Sequence, residues 1–142
     1  MKKLVVLIGC VVFMNTFFGS MAIAAPSMPS DLQMAQPDSS LPKELSAFFG
    51  KWEGTGRIAY FLIVEQIDKE KASLYAWELV AERPVPAWEK YEAQVMKEAG
   101  KYKLWYRSGY GNCDLTLKGD VLIWSRMGYG GNSELVRLSR AP

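Results

Sequence analysis

From Gly50 onward the chain is a succession of short runs, each closed by turn-forming residues, and none keeps a helical period. The runs fall at about 51–60, 61–68, 72–80, 88–97, 101–108, 112–118, 121–127 and 133–140. Several alternate strictly: Tyr102, Leu104 and Tyr106 share one face, Lys103 and Arg107 the other. Such alternation belongs to antiparallel strands with one buried and one wet face. Asp68-Lys69-Glu70-Lys71, Glu98-Ala99-Gly100 and Gly119-Asp120 read as hairpin turns. Arg83-Pro84-Val85-Pro86 reads as a longer crossing, because its prolines do not suit a central strand. No segment is long enough for the helix of a parallel crossover. The expected fold is therefore all-β: an antiparallel up-and-down meander of about eight strands closed into a small barrel, with one short N-terminal helix. Closure removes the exposed edges. A half-open sheet packed on the helix is the alternative. A barrel of this size has an interior filled by side chains or holding one small ligand.

The helix is expected over 41–49. Ser40 is placed to cap it, Pro42 suits its first turn, Leu45, Phe48 and Phe49 form an apolar stripe, and Gly50 ends it. Upstream, residues 25–40 contain Pro26, Pro29 and Pro37 among Ser, Asp and Gln, with no apolar period. That composition predicts an exposed, flexible leader. Further upstream, Lys2-Lys3 precedes an uncharged, mostly apolar stretch that ends in Ala22-Ile23-Ala24, an A-x-A cleavage site. The reading is a signal peptide over 1–24, a leader over 25–40, one barrel domain over 41–142, and no transmembrane segment in the mature chain. Leu7-Ile8-Gly9-Cys10 resembles a lipobox, but cleavage there leaves only six apolar residues before the cysteine. Export to the periplasm or outside the cell follows.

Charge and composition then exclude whole classes of function. Lys plus Arg is 17 and Asp plus Glu 15. Removing Lys2 and Lys3 leaves 15 against 15, a neutral domain unsuited to nucleic acid. The chain has no histidine, which excludes Ser-His-Asp and Cys-His nucleophilic sites and His-ligated zinc or haem. No cofactor is expected. With Cys10 removed, Cys113 stands alone and shares a face with Leu115 and Leu117, as a buried apolar thiol does. The acids that fall within strands, Glu53, Glu65, Glu78 and Asp114, read as solvent-facing, and an enzyme is not expected.

Phe49-Gly50-Lys51-Trp52-Glu53-Gly54-Thr55-Gly56 places a Gly-x-Trp at the start of the first strand, just after the short helix. This resembles the opening motif of the lipocalin and calycin barrels. The resemblance implies a small barrel whose Trp closes the bottom while a basic residue of the last strand packs across it. Those roles pass to Gly50 and Trp52, with Arg137 or Arg140 as the basic residue. The longer motif is also similar to the start of nitrobindin-type ten-stranded barrels. Those bind haem through a histidine, which this chain lacks, so haem is not implied. Independently of any family, a large aromatic beside Gly54 and Gly56 can cover a barrel end while the glycines let the strand bend.

Arg107-Ser108-Gly109-Tyr110-Gly111-Asn112 and Arg126-Met127-Gly128-Tyr129-Gly130-Gly131-Asn132 repeat Arg-x-Gly-Tyr-Gly and then Asn, nineteen residues apart. Loops two strands apart in a meander lie at the same end, so both are expected to flank one mouth. Arg107, Tyr110, Asn112, Arg126, Tyr129 and Asn132 are the candidate ligand contacts, with Trp105 and Trp124 as an aromatic lining or stacking platform. Two readings follow. One is a small exported, non-enzymatic protein that binds an apolar or amphipathic molecule in or at the mouth of its barrel. The other is a secreted module that grips a protein or glycan through its loops, such as an enzyme inhibitor.

Overall fold

The structure is a computed structural model that describes residues 26–54, 59–78, 87–127 and 131–138. Among these, one short helix, α1 (Lys43–Ser46), precedes eight strands: β1 (Gly50–Gly54), β2 (Tyr60–Ile67), β3 (Lys71–Glu78), β4 (Glu89–Glu98), β5 (Lys101–Ser108), β6 (Gly111–Lys118), β7 (Val121–Met127) and β8 (Gly131–Arg137). Each strand pairs antiparallel with the next, and β8 pairs with β1 through Trp52–Arg137, so the sheet is a closed barrel. The run expected over 51–60 divides. β1 stops at Gly54, Tyr60 opens β2, and 55–58 lie outside the described residues. The Arg83–Pro86 crossing lies outside them too.

Turn chemistry sets the register. Glu98 pairs with Lys101 and leaves Ala99 and Gly100 as the turn, at φ of 47° and 80°. A two-residue hairpin needs this left-handed backbone to match the twist of its strands. At the β2–β3 turn, Asp68 Oδ1 accepts from Glu70 N–H at 2.7 Å and Lys71 N–H at 2.8 Å.

Alternation turns one side chain in two toward the axis. Leu62, Val64, Leu74, Ala93, Leu104, Leu115, Leu122 and Leu135 are sealed there. Each large aliphatic side chain buried in this way contributes about 1.5–3 kcal/mol. Trp52, Tyr106, Cys113 and Trp124 fill the remaining space, so side chains occupy the interior.

α1 and the start of β1 close one end. Trp52 Nε1 donates to Phe48 O at 3.0 Å. The Arg137 guanidinium lies 4.4 Å from the Trp52 ring centroid and donates to Phe49 O at 2.9 Å and Ala47 O at 2.6 Å. Gly50 has φ +129°, and a Cβ there would stand 2.8 Å from Arg137 Nη1. The Gly-x-Trp spacing is thus what the arginine's approach requires. Ser40 does not cap the helix. Pro42 holds the N-cap position without a side-chain bond, while Ser40 N–H is taken by Asp38 Oδ1 at 2.7 Å.

Residues 26–40, expected to be a free leader, instead run along the outside of the barrel as a strap. Alternation from inward Leu62 and Val64 puts Glu65 on the outer face, at a bulge between Val64 and Gln66, where it is 1% exposed. Its carboxylate accepts from Gln33 N–H at 3.0 Å and Ser73 Oγ at 2.8 Å, and pairs with Lys90 Nζ at 2.7 Å. Its carbonyl accepts from Ala35 N–H at 2.9 Å, and Trp88 Nε1 donates to Ser27 O at 2.8 Å. Burial alone would push the Glu65 carboxyl up. The Lys90, Gln33 and Ser73 hydrogen bonds outweigh it and hold the group below the usual carboxylate range. Composition cannot reveal this docking, because these anchors on the strap are backbone groups, the N–H of Gln33 and Ala35 and the carbonyl of Ser27.

Candidate functional site

β1 starts at the closed end, so β1, β3, β5 and β7 all finish at the other end, the mouth. Carrying each inward phase to that end delivers polar side chains. On β3, Leu74 and Ala76 lead to Glu78; on β7, Leu122 and Trp124 lead to Arg126; on β5, Leu104 and Tyr106 lead to Ser108.

Arg126 Nη1 donates to Glu78 Oε2 at 2.9 Å, and Nη2 donates to Ser133 Oγ at 3.0 Å. β3 and β7 are not neighbours, so this ion pair spans the lumen as a crossbar. It is shielded, with side-chain exposures of 12% and 18%. The guanidinium lies 4.6 Å from the Tyr60 ring centroid and 5.1 Å from that of Trp124. Desolvation by itself would draw the guanidinium pKa down. The Tyr60 hydroxyl and the Glu78 carboxylate more than compensate and keep it above its ordinary value.

Beside the crossbar is a cleft lined by Ala76, Glu78, Glu89, Tyr91, Tyr106, Ser108, Tyr110 and Trp124. Its free volume is about 10 Å³, the room of a single water. Tyr91 and Tyr106 stack at 4.9 Å, and the Tyr91 hydroxyl donates to the Glu89 carboxylate. The Tyr106 hydroxyl, Trp124 Nε1 and Arg126 Nε are buried with no hydrogen-bond partner among the described residues. Burial, with the neighbouring Cys113 thiol, pushes the Tyr106 hydroxyl well above the usual tyrosine range, so it stays protonated. At the rim Tyr110 is 39% and Met127 67% exposed.

The structure brings Tyr110, Trp124 and Arg126 together here. It does not bring Trp105, Arg107, Asn112 or Asn132, which point outward. Register sets Trp105, Asp114, Ser125 and Asn132 in one outer row and Arg107, Asn112 and Met127 in another. Tyr129 lies outside the described residues. The cause is parity. Inward positions are even-numbered in both β5 and β7, so an odd offset of nineteen puts matching residues on opposite faces. Sequence reasoning missed Tyr60, Glu78, Glu89, Tyr91, Tyr106 and Ser108 as site residues. Extending each strand's apolar phase to its mouth end, where Glu78 and Arg126 arrive with opposite charges, is the signal that finds them.

Open grooves of about 490 and 420 Å³ flank the strap. Of the polar groups bordering the first, Asp68 is engaged by its turn, Lys71 by Glu92, and Ser73 by Glu65. Among the described residues no three acidic or thiol side chains gather in a metal-holding group, and no helix is long and apolar enough to cross a membrane. Comparison with family models, with curated proteins and with solved structures found no match.

Proposed function

We propose that the mature chain is a small exported, non-enzymatic protein that binds an amphipathic small molecule at the mouth of its barrel. The polar end of the molecule sits beside the Arg126–Glu78 crossbar, and its apolar part lies against Tyr110 and Met127. One observation carries this reading: side chains fill the barrel interior, and at the mouth lies a one-water cleft beside which, among the described residues, buried polar atoms are unpaired. A packed interior favours the mouth over an enclosed ligand. The lipocalin-like opening motif agrees with a ligand-carrying barrel, as analogy only. The A-x-A site after the apolar N-terminal stretch supports export with a mature start at Ala25.

A second reading has its own observation. Trp105, Arg107, Asn112 and Asn132 all point outward across adjoining strands β5, β6 and β8, with exposed Met127 of β7 among them. That wall suits a glycan or protein partner gripped from outside. Native mass spectrometry of the exported protein tests both. A retained small molecule that is lost in Tyr110→Ser supports the mouth. A co-purifying protein or glycan that is lost in Trp105→Ser, with the rim intact, supports the wall instead.

A further inference from the structure

The buried polar atoms in and beside the cleft that lack a hydrogen-bond partner among the described residues have one chemical character. Trp124 Nε1, and Arg126 Nε on the crossbar beside the cleft, are donors only, and the Tyr106 hydroxyl, next to the weakly accepting Cys113 thiol, can donate to a better acceptor. Register brings them together. Tyr106 pairs with Cys113, and Cys113 pairs with Arg126, so these three form one inward row across β5, β6 and β7. Trp124 is one inward step below Arg126 on the same strand, with the guanidinium over its ring at 5.1 Å. A buried donor without an acceptor destabilises the fold, and a cluster of them marks a place where something else accepts.

We infer, resting on the mouth reading above, that the group recognised in the cleft is a neutral acceptor oxygen, the carbonyl of an amide, ester or ketone. A carbonyl oxygen offers two lone pairs to several donors. It occupies about the space of one water, which is the room the cleft has. An ammonium head brings further donors, leaves the three atoms unpaired and meets the Arg126 charge. A carboxylate brings its charge beside Glu78 and Glu89, which line the same cleft. Specificity therefore arises from both sides: a neutral oxygen satisfies the donors, and either charged head is opposed.

The test uses three probes with one tail and different heads: hexanamide, hexanoate and hexylammonium. Each is titrated into ¹⁵N-labelled mature protein while the Trp124 indole N–H resonance is followed, assigned by through-bond experiments. Hexanamide should move it saturably at a concentration at least tenfold lower than the other two. Tyr106→Phe, which keeps the ring, should weaken hexanamide about fivefold, the ordinary worth of one neutral hydrogen bond. If hexylammonium or hexanoate saturates at the lower concentration, the acceptor-oxygen inference is overturned while the mouth reading stands. If no probe moves any mouth resonance, both are overturned. A long-lived water, detected by its cross-relaxation with the indole proton and displaced by none of the probes, would reduce the cleft to a hydration site and overturn the inference as well.

Discussion

Each end of this barrel carries an arginine over a tryptophan, and the two pairs are finished differently. At the closed end Arg137 covers Trp52, and the guanidinium and the indole N–H all bond to carbonyls of the turn at Ala47–Phe49. At the mouth Arg126 covers Trp124, but its salt bridge reaches across the lumen to Glu78, and Trp124 Nε1 and Arg126 Nε have no partner among the described residues. The same two side chains make a plug where backbone satisfies them and a receptive surface where it does not. Stability is concentrated at the first end, and unspent hydrogen-bonding capacity at the second.

The largest effect expected from this contrast lies at the plug. Trp52→Ala should destabilise the protein by about 3–5 kcal/mol, because it empties a sealed site and strips Arg137 of its platform. Denaturant unfolding measures it, and a loss under about 1 kcal/mol would show that Trp52 does not hold that end. Next comes Glu78→Ala, which leaves a shielded guanidinium without its carboxylate and should cost about 1.5–3 kcal/mol. If Glu78→Ala proved the more damaging of the two, the mouth would be the structural end and the contrast would reverse.

The barrel was legible in the sequence because period-two alternation and turn residues are local signals. Tyr102, Leu104 and Tyr106 announce their strand, and Ala99-Gly100 its turn. The Trp52–Arg137 contact was reached through a resemblance rather than through periodicity. Non-local features were hidden. Glu65 looks like any outward-facing strand acid until a strap some thirty residues upstream covers it. Glu78 was read as solvent-facing because its partner stands 48 residues away across the lumen. The repeated Arg-x-Gly-Tyr-Gly found Arg126 and Trp124, but it also named Arg107 and Trp105, whose parity puts them on the outer wall.

Acid separates the strap from the plug. The Glu65 carboxyl titrates below its ordinary range in the folded protein, so its bonds to Lys90, Gln33 and Ser73 stabilise the fold fully above the unfolded carboxyl pKa. That contribution is lost as pH falls through the lowered value. The plug's arginine bonds to backbone carbonyls of the turn rather than to a carboxylate. As pH falls from the ordinary carboxylate range through that lowered value, hydrogen exchange at Ala35 N–H and cleavage within 26–40 should therefore rise well before the Trp52 indole N–H loses protection. In Glu65→Gln the acid step in strap protection should disappear. If both sites opened in one transition, strap and plug would be a single cooperative unit.

The smallest expected change is also the sharpest, because its sign differs between the two ends. Trp52→Phe removes one polar atom from the plug and strands Phe48 O, which then has no indole N–H to accept. That should cost about 1–3 kcal/mol, the range for a buried group left unpaired, with the smaller ring adding to it. Tyr106→Phe also removes one polar atom from a sealed aromatic ring, but among the described residues this hydroxyl has no partner to strand beyond the weak Cys113 thiol. Deleting it relieves a desolvation penalty, so stability should hold or rise by up to about 1 kcal/mol. Two denaturation curves beside that of the parent decide the matter. If Tyr106→Phe is destabilised as much as Trp52→Phe, the hydroxyl is already satisfied in solution and the mouth is as finished as the plug. If it is neutral or stabilised and at the same time binds hexanamide more weakly, the unpaired donors at the mouth serve binding and not folding.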